Sequence, residues 1–419
     1  MTLYLDHAAT TPPRPEARAA LDAWLGSANA SSTHLAGQAA RAVVEEAREA
    51  VATALGCSPH EVVFTSGGTE ADNLAIKGVA WAARERGRGV PHLVTTAVEH
   101  PAVLDPARWL AARGDVRLTV VPPRPDGRVE VEQVLAAVRP DTVLVSVMAA
   151  NNELGAINDV PALGAALRAR GVPLHTDAVQ AVATLDVSVA GWAVDALALS
   201  AHKVGGPQGV GVAVLRRGLP VVPLAHGGGQ DRGVRSGTFA VGLDAACGAA
   251  LTAAVADRGA LGARLRAWSD RLAAEVTALD GVRRSGPADP AWRLASHVHL
   301  LLDGVAPEAL SLGLDAAGLA ASSGAACGAG ATKASSVLEA CGLLGTPLRL
   351  SLGWTTTEAE VDGAIEVLTE LIPRLQAGSG RGPAPVGRAA DAGPHASASA
   401  AAAQAPGLSA GAHRPERSR

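Results

Sequence analysis

A chain of 419 residues is long enough for two hydrophobic cores, which excludes a single small domain. A net charge of -4 gives no basic footprint for a phosphate backbone, so nucleic acid is not expected as a direct ligand. Aromatic residues make up 2% of the chain, which leaves packing to Ala, Val and Leu.

The start Met1-Thr2-Leu3-Tyr4-Leu5-Asp6-His7 lacks the pattern of a signal peptide, and no run reaches the roughly 18 apolar residues that a membrane helix needs. A cytoplasmic protein is expected. Residues 1–14 form an N-terminal segment, and helical patterns follow at 15–25 and 38–55. From 62 to 215, short Val- and Leu-rich runs alternate with helical patterns. The predicted strands are 62–65, 92–96, 116–121, 142–148, 172–176, 194–199 and 211–215, with a further helix at 161–170. That alternation predicts an α/β architecture with a mostly parallel seven-stranded sheet, occupying a large domain over 15–255. A long Ala-rich helix begins after Ala240. Strands near 297–302 and 348–352 with helices between them predict a smaller α+β domain over 256–376. Residues 377–419 are Gly, Pro, Ala, Ser and Arg without periodicity, a composition that predicts a disordered tail.

Positive charge comes almost wholly from Arg, and the three lysines are Lys77, Lys203 and Lys333. Lysine has one capability that Arg lacks, because its amine can lose a proton and form a Schiff base. Lys77 lies in a helical pattern and Lys333 in a small-residue loop, where solvated roles suffice. Lys203 follows a buried-looking strand in Ser200-Ala201-His202-Lys203, at the sheet edge where open α/β folds bind ligands.

Other strands end in polar groups as well. Asp177 follows an apolar strand and suits either a helix N-cap or a partner for a protonated pyridine nitrogen. Thr65-Ser66-Gly67-Gly68-Thr69-Glu70 leads a strand through two glycines into a helix start, where free N–H groups suit a phosphate. His100, after Val98-Glu99, suits a structural role, a place over a planar ring or a catalytic part in proton transfer. Asn151-Asn152-Glu153 sets amides just beyond a strand. The Gly-rich polar run 226–238 cannot pack as a core and is either mobile or a binding surface.

The order of these motifs resembles the class V aminotransferase family of pyridoxal-phosphate (PLP) enzymes, and within it the cysteine desulfurases. The resemblance runs from Tyr4-Leu5-Asp6-His7-Ala8-Ala9-Thr10-Thr11-Pro12 to Leu348-Arg349-Leu350-Ser351-Leu352-Gly353. It implies PLP-dependent transferase fold type I, with Lys203 carrying the cofactor, Asp177 at the pyridine nitrogen, Gln180 at the ring hydroxyl and His100 stacked on the ring. Gly68, Thr69, Ser200 and His202 hold the phosphate in this reading. Thr238 reaches the cofactor of a neighbouring subunit, which implies a homodimer. Asn152 and Arg349 bind the substrate carboxylate, and Asn152 also adjoins the cofactor.

Cys327, in the small-residue run Gly324-Ala325-Ala326-Cys327-Gly328-Ala329-Gly330, matches the persulfide-forming cysteine of desulfurases. The resemblance thus implies removal of sulfur from L-cysteine, giving L-alanine and a persulfide passed to an acceptor such as an iron–sulfur scaffold or a tRNA-thiolation enzyme. A different class V enzyme, an aminotransferase or selenocysteine lyase, and a sulfur-relay scaffold without catalysis are the alternatives. Cys57, Cys247 and Cys341 read as structural. The four cysteines show no CxxC spacing, so neither a disulfide framework nor a metal site is expected. Two features depart from the family pattern: a shorter stretch between Cys327 and Arg349, and Gly205-Gly206-Pro207-Gln208 without an aromatic or a second basic residue.

Overall fold

The runs of Val, Leu and Ala that alternate with helical patterns are buried on both faces, as a helix-covered parallel sheet requires. A computed structural model describes residues 2–87, 89–323 and 335–378. In chain order they form β1 (Leu3–Tyr4), α1 (Pro15–Trp24), α2 (Leu35–Leu55), β2 (Val62–Thr65), α3 (Gly68–Glu85), β3 (His92–Thr96), α4 (Pro101–Ala112) and β4 (Arg117–Val121). There follow α5 (Val131–Ala137), β5 (Thr142–Ser146), α6 (Val160–Ala169), β6 (Leu174–Asp177), β7 (Ala196–Ser200) and β8 (Gly211–Leu215). The remainder is α7 (Val241–Thr277), β9 (Val282–Arg284), β10 (His297–Leu302), α8 (Pro307–Ala316), β11 (Leu319–Ala320), α9 (Ser336–Ala340), β12 (Thr346–Ser351) and α10 (Glu358–Gly378).

Seven strands make the main sheet in the order β2-β8-β7-β6-β5-β3-β4. It is parallel except at β8, which runs antiparallel to both β2 and β7. The predicted mostly parallel seven-stranded sheet is therefore present. Gly211 explains how the antiparallel strand passes the β2–α3 turn, because a Cβ there would lie 2.6 Å from the backbone of Gly67. A second, antiparallel sheet has the order β12-β10-β9, and β1 pairs with β11.

The sequence boundary at 255/256 falls inside the 37-residue helix α7. Up to Ala254 its buried side chains join the main-sheet core, whereas Leu261, Leu265, Leu272 and Val276 join the core of the second sheet. One rigid element therefore serves both cores. The helix α10 continues to Gly378, and the rest of the expected tail lies outside the described residues. No helix among the described residues is long and apolar enough to cross a membrane.

The N-terminal segment laces the two sheets together around the Lys203 turn. Leu3 and Tyr4 pair with Leu319 and Ala320, and Asp6 bridges to Ser351. Further along, Thr11 donates its N–H to the His202 carbonyl at 3.1 Å and Arg14 donates to Gly205 at 2.7 Å.

Candidate active site

The C-terminal ends of the parallel strands open into a cavity of about 460 Å³. Its wall gathers Gly68, Thr69, His100, Asn152, Asp177, Gln180, Ser200, His202, Lys203 and Arg349. These residues come from stretches nearly 300 positions apart, and each belongs to a motif read from the sequence. Thr238 is exposed and does not line this cavity, and Cys327 lies outside the described residues.

Each side chain is aimed by local structure. Gly67 precedes the first residue of α3, whose opening N–H groups at Gly68 and Thr69 have no partner within the helix. A Cβ on Gly68 would lie 2.9 Å from Val179 Cγ2, so a methyl there would fill the cradle. Asp177 is the last residue of β6. Its Oδ1 accepts from the Val179 N–H at 2.9 Å, a turn-capping bond that still leaves Asp177 on the cavity wall. The capping and site readings of Asp177 are thus compatible.

His100 caps α4, its Nδ1 accepting from the Ala102 N–H at 3.1 Å, which leaves the neutral ring's proton on Nε2. Burial lowers its pKa, with Lys203 adding to that effect and Asp177 opposing it. His202 caps no helix but pairs through Nδ1 with the Thr10 hydroxyl at 3.1 Å, and burial with Lys203 lowers its pKa to about 4. Lys203 donates to the carbonyls of Ala8 and, at 2.8 Å, Ala9, while Gln180 donates to Ala8 at 2.9 Å. The N-terminal segment thereby supplies acceptors that orient the amine.

Arg349 is buried on β12. It forms an ion pair with Asp6 at 2.8 Å and donates to the Asn152 carbonyl at 3.0 Å. Its Nε has no hydrogen-bond partner among the described residues. The fork expected to meet a carboxylate is therefore held in place by a carboxylate of the chain itself.

Three buried groups escaped the sequence reading. Asp72, on α3, lines the cavity and is pushed well above the usual carboxylate range by burial first, then by Asp177 and Glu99. Glu99 accepts from the Thr96 hydroxyl at 2.7 Å and the Met148 N–H at 2.9 Å, and burial raises it to about 8. His175 sits with Nε2 3.4 Å from Asp72 Oδ1 and Nδ1 2.8 Å from the Ser146 hydroxyl, with its pKa lowered by burial to about 3. Burial thus pushes both Glu99 and Asp72 toward their protonated forms. Burial also pushes Asp177 up, but His100 and Lys203 oppose that push. Of the three only His175 lies on a buried strand, and the groups it meets, Asp72 and Ser146, come from distant stretches of sequence.

Burial raises the thiols of Cys57 and Cys247 to about 12 and that of Cys341 to about 11. None of the three is a ready nucleophile near neutral pH. Among the described residues no three His, Cys, Asp or Glu side chains gather to hold a metal ion.

The family model Aminotransferase class-V matches residues 3–363, and the chain belongs to this family of pyridoxal-phosphate enzymes. Its relatives point further, to sulfur chemistry. An IscS-like cysteine desulfurase of Mycobacterium tuberculosis is 45% identical over 383 residues, covering 89% of this chain and 97% of that protein. The cysteine desulfurase IscS of Methanosarcina thermophila is 37% identical over 380 residues, covering 89% and 93%. Among solved structures, a NifS-like protein superposes with a TM-score of 0.83 at 32% identity, covering 90% of this chain and 100% of that one. The structure of SspA in complex with cysteine gives 0.73 at 31% identity, covering 84% and 99%.

The residues present fit PLP. The Gly68 cradle at the α3 start offers N–H donors to a phosphate, Lys203 offers an amine at the sheet edge, and Asp177 is an acid whose ionised form a protonated ring nitrogen would favour.

Proposed function

We propose that the chain is a cysteine desulfurase that takes sulfur from L-cysteine onto Cys327 and releases L-alanine. The observation that carries this reading is the single cavity that gathers Lys203, Asp177, His100 and Arg349. PLP, when bound, accepts the electron pair released as the substrate Cα loses its proton. Lys203 holds the cofactor and then takes that proton at Nζ. Asp177 would keep the ring nitrogen protonated, Gln180 would meet the ring hydroxyl, and His100 would lie over the ring as a neutral imidazole. Gly68, Thr69, Ser200 and His202 hold the phosphate.

Arg349 and Asn152 receive the substrate carboxylate, which joins or displaces Asp6 on the arginine fork. The Cys327 thiolate attacks the substrate sulfur: an S–S bond forms, the C–S bond breaks, and its electron pair stays with the carbon, which is protonated to alanine. The raised pKa values of Cys57, Cys247 and Cys341 support Cys327 as the acceptor thiol. Thr238, exposed in one chain, serves the cavity of a second copy in a homodimer. The persulfide then passes to an acceptor protein, an iron–sulfur scaffold or a tRNA-thiolation enzyme, in a cytoplasmic setting.

The test is Cys327→Ser, given L-cysteine and followed by mass spectrometry. Wild type should gain about 32 Da, one sulfur atom, on the Cys327 peptide, and the variant should keep its visible cofactor absorbance but release almost no alanine. Normal turnover by the variant would leave a PLP enzyme of another class V type.

A further inference from the structure

Residues 151–154 form a turn wired from within. Asn151 Oδ1 accepts from the N–H groups of Glu153 at 2.9 Å and Leu154 at 2.8 Å, and its amide donates to the Val98 carbonyl at 3.0 Å. This wiring fixes the direction of Glu153, whose Oε2 accepts from the Ser335 hydroxyl at 2.5 Å. Burial raises the pKa of the Glu153 carboxyl, while the Ser335 hydrogen bond and Arg349 pull it down. Ser335 is also the N-cap of α9, its Oγ accepting from the Leu338 N–H at 3.2 Å. A hydroxyl that donates to Glu153 keeps its lone pairs turned toward that N–H, so the two bonds support one another.

At the other end of the Cys327 segment, Ser322 and Arg349 exchange two backbone hydrogen bonds, 3.1 and 2.7 Å long. Arg349 in turn holds the Asn152 carbonyl. Both described ends of the segment are therefore tied to the same support, Arg349 and the 151–154 turn.

We propose that Glu153 is a positioning residue for sulfur transfer, acting through the Ser335 hydroxyl to fix one end of the Cys327 segment on the turn that carries Asn152. The proposal rests on the reading of Cys327 as sulfur acceptor. Glu153 touches neither substrate nor cofactor in this role. It sets where the thiol's segment is anchored relative to the carboxylate-binding pair.

The experiment uses the full chain loaded with PLP, with Glu153→Ala, Ser335→Ala, the double variant and Glu153→Gln. Three quantities are read: the KM for L-cysteine, the rate at which sulfur appears on Cys327, and hydrogen exchange at the Leu338 amide. Glu153→Ala should slow sulfur transfer by about tenfold or more, the scale of a misplaced reacting group, with KM unchanged. Exchange at Leu338 should rise about fivefold, as expected for a weakened helix cap. Ser335→Ala and the double variant should match the single loss in transfer rather than multiply it. Glu153→Gln, which retains an acceptor oxygen, should restore most of the rate. Multiplied losses, a rise in KM with the transfer rate unchanged, or normal transfer in Glu153→Ala would overturn the proposal. Cys327→Ser separates the two readings: if it transfers sulfur normally the desulfurase reading fails, whereas if it is inactive and Glu153→Ala is normal, only the role of Glu153 fails.

Discussion

Arg48 offers a sharp test of what holds the Gly-rich loop, because a guanidinium on α2 is buried with 1% of its side chain exposed. It pairs with Asp231 Oδ1 at 2.7 Å, donates to the Val62 carbonyl at 2.6 Å, reaches Glu45 at 3.0 Å and lies 5.2 Å over the Phe64 ring. Asp231 is itself buried, with φ of 45°. Arg48→Met keeps the stem and removes the charge, leaving the Asp231 carboxylate without its cation. Loss of one partner from a buried pair costs about 3–5 kcal/mol. With unfolding entropy near 2.1 cal/mol/K per residue, a chain of this size has about 0.9 kcal/mol/K, so the melting temperature should fall by about 3–6 °C. The double variant Arg48→Met/Asp231→Asn removes the orphaned charge, and Asn tolerates positive φ. It should therefore regain at least half of the loss. Thermal melts followed by circular dichroism decide the matter: a fall below about 1 °C in the single variant, or losses in the double variant that simply add, would refute the reasoning.

Lys203→Arg should retain the fold and melting profile but show no visible absorbance from a lysine-bound cofactor and no alanine release; a normal absorbance band would remove Lys203 from its role. The apoprotein should be most stable near about pH 6.5. Buried His7 and half-buried His202, lowered to about 4, and His175, His297 and His299, lowered to about 3, bind protons more readily when unfolded, so stability falls as pH drops below 6.5. Glu99 and Asp244, each raised by burial to about 8, keep protons that the unfolded chain has lost, so stability also falls as pH rises toward 8. Asp244→Asn should stabilise the apoprotein by an amount that grows from pH 5 to 8; a constant difference in melting temperature across that range would contradict the buried-acid argument.

The residues that line the cavity were legible because the chemistry proposed for them restricts the choice of side chain. A Schiff-base amine, a glycine cradle and an acid at a strand end stand out in a chain where Arg replaces Lys and apolar runs mark the strands. The bounds of β2, β3, β8 and β10 could be read from the same runs. Those of β6 and β7 were read early, by two residues at the start and one at the end. The predicted strands stop at Thr176 and Leu199, before the polar Asp177 and Ser200, yet the backbone ladder goes on: Asp177 pairs with Ala198 and Ser200 with Gly211. Backbone pairing is indifferent to side-chain polarity, and this is why Asp177 and Ser200 occupy the last rigid positions of their strands.

Sequence determined the alternating α/β order and picked out residues that line the cavity, since periodicity and residue type are local properties of the chain. Tertiary structure alone decided which charges became buried partners. Arg48 reads as an ordinary helix-surface charge, and its partner Asp231 lies 183 positions away. Asp6 and Arg349 are separated by 343 positions, and the Glu153–Ser335 contact by 182. Desolvation, which raises the pKa of Asp72 and Glu99 and lowers that of His175, depends on what packs over a group, and no short stretch of sequence contains that information.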